Sequence, residues 1–230
     1  MPSHKAYCEV FAGAAWVFFR KPPSKYEVIN DLDSDIVCFY RVLQNHLEEF
    51  LRQLKWLLAS RQWFKDWKRQ QAAGGLTDTQ RAARYYYLQR LCFAGRVRGR
   101  TFEASPMSRP RINLFRIEEE LSEVHLKLAG VTIEHLPWQR FIKSYDKAGT
   151  LFFLDPPYGK APYYNHNFTI SDFKELAETQ AGIRSDFVLS INDHPELRKV
   201  FSGFKIRPVK LSYSAAQGVC VKAQEQLITK

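Results

Sequence analysis

The sequence predicts an α/β fold on a mixed sheet, with a mostly helical lobe inserted into it. Three observations predict this. Short apolar runs bounded by turn residues recur at 6–11, 26–29, 151–154 and 187–191, as strands of a largely buried parallel sheet do. The stretch from 45 to 128 instead carries helical spacing and helix-start signals. Residues 204–213 and 219–228 then read as a closing antiparallel pair.

Length and composition bound the problem. A chain of 230 residues with 45% hydrophobic content suits one globular domain carrying a smaller lobe. No apolar run approaches the length of a membrane-spanning helix, and the N-terminal residues lack the apolar core of a signal peptide. The cysteines (Cys8, Cys38, Cys92, Cys220) are far apart and the six histidines are scattered. No metal site and no disulfide framework is expected, and a reducing cytoplasm is. The net charge of +10 points to a polyanionic partner. A monomer is expected.

The densest chemical signal is Thr150 to Tyr158. Leu151, Phe152, Phe153 and Leu154 run directly into Asp155-Pro156-Pro157-Tyr158. Proline has no N–H for a sheet ladder, so the strand must end at Asp155. Open α/β sheets bind their ligands at such carboxyl ends. An exocyclic amine on a nucleobase is a poor nucleophile, because its lone pair is delocalised into the ring. Asp155 can accept one of its N–H groups and the Pro156 carbonyl the other, which stabilises charge growing on nitrogen. Tyr158 offers a face on which a base can stack. The dipeptide Pro156-Pro157 alone would mean only a turn.

Upstream, the strand at 6–11 ends in Ala12-Gly13-Ala14-Ala15, followed by the apolar helix start Trp16-Val17-Phe18-Phe19. Small residues let a backbone approach a cofactor closely. The strand at 26–29 runs into Asn30-Asp31-Leu32-Asp33. Asp31 lies 18 residues after Gly13, a spacing at which a Rossmann-like unit places an acid on ribose hydroxyls. Asp31 or Asp33 also suits the N-cap of a helix starting near Ser34.

Leucines and phenylalanines at three-four spacing predict one helix over 45–71. Gly74-Gly75 ends it, and Thr77 with Gln80 forms a capping box for the next. From Arg81 to Arg116 there are nine arginines, no lysine and one acid, Glu103, so nine minus one gives +8. Tyr85, Tyr86, Tyr87, Phe93 and Phe102 are interleaved. Arginine forks suit phosphates and guanine edges, and rings suit unstacked bases. Arg81, Arg84, Arg96, Arg98 and Arg100 are the candidate DNA contacts. The same composition also fits a solvated basic helix and loop, with tyrosines in the core. Further on, 117–128 reads as an amphipathic helix, 131–134 as a strand, and Ser171 as the cap of a helix reaching about Gln180.

Together the motifs resemble those of Dam-like DNA adenine methyltransferases, of the kind often encoded by phages and prophages. Asp155-Pro156-Pro157-Tyr158 looks like the family's catalytic tetrad, whose initial Asp favours adenine where an initial Asn marks methylation of glutamine amides. Glu9-Val10-Phe11-Ala12-Gly13-Ala14 is similar to the first cofactor motif, with Val10 and Ala15 at its usual proline and second glycine. Asn30-Asp31-Leu32-Asp33, with Phe39-Tyr40-Arg41-Val42, resembles the second. The resemblance implies a Rossmann-like domain that uses S-adenosylmethionine, formed by 1–44 and 129–230, with a DNA-recognition lobe at 45–128. It implies that Glu9, Phe11, Ala12, Gly13, Asp31, Ile133 and Asp155 surround the cofactor, with Ile133 or Glu134 at its adenine. It further implies that Asp155, Pro156, Pro157 and Tyr158 grip the target base, which must leave the duplex. The family's aromatic-x-Gly-Gly-Lys segment has no counterpart in the five residues ahead of the first strand. Two other activities fit the same residues: methylation of adenine in RNA, and a DNA-binding remnant with impaired catalysis.

Overall fold

The computed structural model describes residues 1–92, 100–102, 112–113, 116–157, 168–214 and 220–230. By compactness the chain divides into two units, residues 1–32 with 131–230, and residues 33–130. The helix at Ser34–Asn45, expected in the cofactor domain, groups with the second unit.

The first unit is built on a seven-stranded sheet. Its strands are β1 (Ala6–Glu9), β2 (Tyr26–Asn30), β3 (Thr132–Glu134), β4 (Thr150–Leu154), β5 (Asp186–Asn192), β6 (Lys205–Ser214) and β7 (Cys220–Thr229). Their spatial order is β3-β2-β1-β4-β5-β7-β6. The first five in that order are parallel, and β7 and β6 close the sheet antiparallel. The order reverses between β1 and β4, which places the ends of both strands at the switch point of the sheet. Pro208 is tolerated because β6 is an edge strand.

Register separates the two faces. On one, Val10, Phe152, Leu154, Leu189 and Ile191 pack into a single core with Phe141, Phe173, Leu176 and Phe201. These last four come from α7 (Trp138–Tyr145), α8 (Ile170–Gly182) and the end of α9 (Pro195–Val200). On the other, Glu9 pairs in register with Ile29 and Phe153, and Phe153 with Val188. Every residue of β4 is buried. A one-residue slip of β4 would carry Asp155 onto the face filled by Leu154, burying a carboxylate among apolar side chains. Register and site are thus fixed by the same constraint.

Asn30 ties the strand ends together. It is 2% exposed. Its Nδ2 donates to the carbonyls of Val10 (3.0 Å) and Leu136 (3.1 Å), and its Oδ1 accepts the Leu136 N–H at 2.9 Å. Its own carbonyl accepts the Ala12 N–H at 2.8 Å. One side chain thus replaces ladder bonds that β1, β2 and the turn after β3 lose as they diverge.

The second unit holds α2 (Ser34–Asn45), α3 (Leu47–Leu54), α4 (Arg61–Ala73), α5 (Asp78–Arg90) and α6 (Ile117–Leu128). Phe39 of α2 meets the rings of Phe50, Tyr85 and Tyr86 at 5.4–5.9 Å between centroids. Tyr85, Tyr86 and Tyr87 are all buried. The capping box of Thr77 and Gln80 is present.

Four elements differ from the sequence expectation. The single helix expected over 45–71 is two, broken at 55–60. There Ser60 caps α4 by accepting the Trp63 N–H, and the buried Tyr87 hydroxyl bonds the connecting backbone. Leucine spacing runs through this break because Leu54 and Leu57 are both core residues. The cap of α8 is Thr169, in a box with Asp172, two residues before Ser171. Helices α7, between β3 and β4, and α9, between β5 and β6, were not anticipated.

The Asn30 knot makes a stability prediction. Asn30→Ala leaves buried backbone groups of residues 10 and 136 without their partner and lowers the unfolding free energy by about 2–4 kcal/mol. It is read as a lower urea midpoint at unchanged slope. A wild-type midpoint would show that these bonds add nothing.

Candidate active site

Asp155 follows the last β4 residue at the point where the prolines prevent further pairing. Its side chain is exposed, whereas Pro156 behind it is buried. The Pro157 carbonyl accepts the Phe168 N–H at 3.1 Å. Phe168 meets Phe11 edge-on at 5.3 Å. Asp155 and Phe11 each lie two residues past the last paired residues of β4 and β1, Phe153 and Glu9, and the Val10 N–H still bonds the Phe153 carbonyl at 2.9 Å. Phe11 and Asp155 are therefore neighbours at the sheet edge. Tyr158 lies outside the described residues.

The turn after β1 is shaped for close approach. Gly13 has φ +48°, and no atom lies within 4 Å of where a Cβ would stand. The limit there is backbone conformation, which glycine relieves, while open space remains beside it. Ala15 shares the left-handed region at φ +50°. Asp31 Oδ2 accepts the Gly13 N–H at 2.8 Å, so the acid shapes the turn as well as standing at the β2 tip. Asp33 caps α2 by accepting the Asp35 N–H at 2.9 Å. The two acids thus take separate roles. Ile133, half-buried on β3, pairs in register with Ile29, two residues before Asp31. Glu134 accepts the Tyr145 hydroxyl at 2.6 Å. Glu9, Phe11, Ala12, Gly13, Asp31, Ile133 and Asp155 thus lie along one edge of the sheet, in strands β3-β2-β1-β4 or the turns that end them. A loop with small residues, a carboxylate at the neighbouring strand tip and an apolar side chain beyond it fit a nucleoside-bearing cofactor.

Three acids set the electrostatics. Glu9 is 2% exposed and accepts the Tyr7 hydroxyl at 2.6 Å. Burial pushes its carboxyl up to about 7 against the opposing effects of the Tyr7 and Phe18 hydrogen bonds, and the charge of Asp155 adds to the rise. Lys21, ion-paired with Glu27 and 4.3 Å above the Tyr7 ring, pulls it the other way. Asp155 is itself raised to about 6, first by loss of hydration and then by the charge of Glu225. Solvent reaches this carboxylate, yet its surroundings hold back part of its hydration.

Glu225 was not foreseen. It is buried on β7 and pairs in register with Asn192. The Ser190 Oγ donates to it at 3.4 Å. The pairing of Leu154 with Leu189 makes Ser190 the next neighbour after Leu189 on the Asp155 side. The alternation of polar Ser190 and Asn192 in β5 was a readable signal; the approach of β7 was not.

In the second unit, Arg81 bonds Asp35 at 2.5 Å and the Ser34 hydroxyl at 2.6 Å. Arg84 is 5% exposed and 3.5 Å from Asp35. Arg100 is 4% exposed, lies over the Tyr85 ring and donates to Gln89. All three have partners within the unit. Arg96 and Arg98 lie outside the described residues. Among the described residues no acidic, histidine or cysteine cluster could hold a metal, and no helix is long and apolar enough to cross a membrane.

Comparison with known proteins agrees with this geometry. Residues 1–215 match the family model of D12 class N6 adenine-specific DNA methyltransferases. The chain is 26% identical to a DNA adenine methylase of Serratia marcescens over 212 residues, 84% of this chain and 76% of that protein. It is 25% identical to the type II methyltransferase M1.LlaDCHI of Lactococcus lactis subsp. cremoris over 224 residues, 89% of this chain and 78% of that one. A DNA N-6-adenine-methyltransferase of Escherichia phage P1 is 26% identical over 233 residues, 91% of this chain and 30% of its own length.

The raised Glu9 carboxyl predicts how stability varies with pH. A carboxyl that binds its proton more tightly when folded stabilises the fold fully below its unfolded value, near pH 4. That contribution is lost as pH rises through about 7. Glu9→Gln removes the titration. Between about pH 4 and pH 8 the wild type should lose, relative to the variant, on the order of 3 kcal/mol. Parallel urea titrations of the two proteins measure it, and identical pH slopes would refute it.

Proposed function

The chain belongs to the D12 class N6 adenine-specific DNA methyltransferases, and from that premise we propose that Asp155 and the Pro156 carbonyl grip the target adenine's amino group, with S-adenosylmethionine as methyl donor. The observation that carries this is the exposed, partly desolvated carboxylate at the end of a fully buried strand, at the switch point of the sheet. S-adenosylmethionine supplies a methyl group on a sulfonium, which already activates it. What the protein must add is nucleophilicity at nitrogen and alignment.

Both additions follow from the residues. Asp155 accepts one N–H of the amino group and the Pro156 carbonyl accepts the second. Nitrogen rehybridises as its lone pair leaves the ring, and the two acceptors favour the charge that develops there. A proton leaving the nitrogen has Asp155 Oδ as its nearest base. Pro156 and Pro157 hold the acceptors in a narrow range of backbone angles, so little alignment entropy is lost at reaction. Tyr158 is proposed to stack on the base. Glu9, Phe11, Ala12 and Gly13 would form the wall at the methionine side, Asp31 would take the ribose hydroxyls, and Ile133 would meet the adenine of the donor. Residues 45–128 are proposed to contact DNA, with Arg96 and Arg98 at phosphates or base edges. Arg81, Arg84 and Arg100 would serve that surface by bracing it. Extruding the base costs a few kcal/mol, which DNA contacts must offset. One acceptor site and one recognition lobe in a single chain suffice for one adenine, which supports a monomer. A DNA substrate and a chain without a membrane-spanning helix among its described residues support the cytoplasm as its place of action.

Asp155→Asn keeps the side chain's size but not its charge. It should lower the methyl-transfer rate by about 100-fold or more while duplex affinity stays within a few-fold of wild type. The wild-type rate should fall on acidification with an apparent pKa near 6, since the protonated acid has lost the charge that stabilises the developing cation and takes up its proton. Transfer of labelled methyl groups to DNA measures both. A variant with near wild-type turnover would remove Asp155 from the chemistry.

A further inference from the structure

We propose that the corner between α3 and α4 is a contact surface for duplex DNA, in which Trp56 and Leu58 meet the bases or sugars and Arg52, Lys55, Arg61 and Lys65 meet phosphates. The inference rests on the DNA-methylating function and locates a binding surface outside the arginine-rich window.

Trp56 is 78% exposed and Leu58 is 70% exposed. They flank Leu57, which is buried. This corner is not a slack loop. The Ser60 N–H donates to the Tyr87 hydroxyl at 3.0 Å, and that hydroxyl donates to the Leu58 carbonyl at 2.9 Å. Tyr87 is fully buried and stacks obliquely on Trp67, with centroids 4.8 Å apart. The fold therefore spends a buried hydroxyl on holding a large ring and a leucine out in solvent. Soluble proteins rarely keep such apolar groups together at the surface without a partner.

The surroundings identify the partner. Residues 52–69 carry six cations (Arg52, Lys55, Arg61, Lys65, Lys68, Arg69) and one acid, Asp66, so six minus one gives +5. Arg61 and Lys65 stand one turn apart on an exposed face of α4, Arg61 with its guanidinium over the Phe102 ring at 5.0 Å, whereas Lys68 Nζ donates to the Arg100 carbonyl at 2.9 Å. Lys55 lies over the Trp56 ring at 5.4 Å, so the charge and the ring are presented together. Apolar side chains among phosphate-directed cations are how proteins wedge into, or stack on, locally unstacked DNA. Of the arginines that composition favoured, the three described ones have partners within the lobe: Arg81 and Arg84 at Asp35, and Arg100 at Gln89 and the Tyr85 ring.

Two double variants test the surface by fluorescence anisotropy with a labelled adenine-containing duplex across a range of salt. Trp56→Ala with Leu58→Ser should weaken binding about tenfold with little change in salt dependence. Arg61→Gln with Lys65→Gln should weaken it too and flatten the slope of log affinity against log salt by about 2. All four side chains are exposed, and thermal melts confirm that each variant is folded. Wild-type affinity and slope in both folded variants overturn the proposal and leave the function standing. A wild-type chain that binds no duplex overturns the function and this surface with it. A tryptophan-rich basic corner also suits anionic lipid. Wild-type binding to phosphatidylserine vesicles that the variants lose, with DNA binding kept, would assign the corner to membranes and overturn the proposal.

Discussion

A proline has no N–H to give. Two of them in succession, after a strand buried along its whole length, force the chain out of the sheet at Asp155. The surrounding architecture depends on that one exit. The parallel order of β3-β2-β1-β4 brings the turn after β1 and the tip of β2 to the same edge. Asn30 holds those ends together where ladder bonds run out. At this edge β1, β2 and the turn after β3 are held by apolar packing below and by the Asn30 hydrogen bonds above.

Negative charge accumulates on one face at this edge. Glu9, Asp155 and Glu225 stand on three different strands or their ends, and each raises or is raised by another. Such an arrangement costs stability at neutral pH, where burial resists ionisation. The guests proposed for this site, an amine donor and a sulfonium, would complement it: one brings N–H groups and the other a positive charge. The acids are unfavourable in the protein alone and favourable with those guests present, which is the expected character of a site selected for binding rather than for packing.

Much of this was legible in the chain because the chemistry is local. The tetrad, the small-residue turn and the spacing from Gly13 to Asp31 are contiguous signals, and the closing β6–β7 pair followed from pattern. What could not be read came from contacts across the sequence. Asn30 looked like an ordinary residue before an acid, since its partners at 10 and 136 are distant in sequence. Glu225 sits in a strand of mixed character, and only the antiparallel return of β7 brings it beside Ser190. The break between α3 and α4 was hidden by leucines that keep helical spacing through it, while the residue that fixes it, Tyr87, belongs to another helix.

Arginine shows why composition points to a function more surely than to a surface. A guanidinium can neutralise a phosphate or a neighbouring carboxylate with the same fork. The sequence counts the charge; only packing tells which of these it meets. Asp35, one acid on α2, takes up two arginines of α5 and anchors that helix from inside the lobe. Lys65 of α4 stands on an exposed face, and a hydrated ammonium suits sequence-independent contact with a backbone of phosphates. On the proposal made above, the lobe divides its cations between bracing and binding: its internal pairs keep the helices in place, and the outward charge with the rings among it would meet DNA without first being ordered.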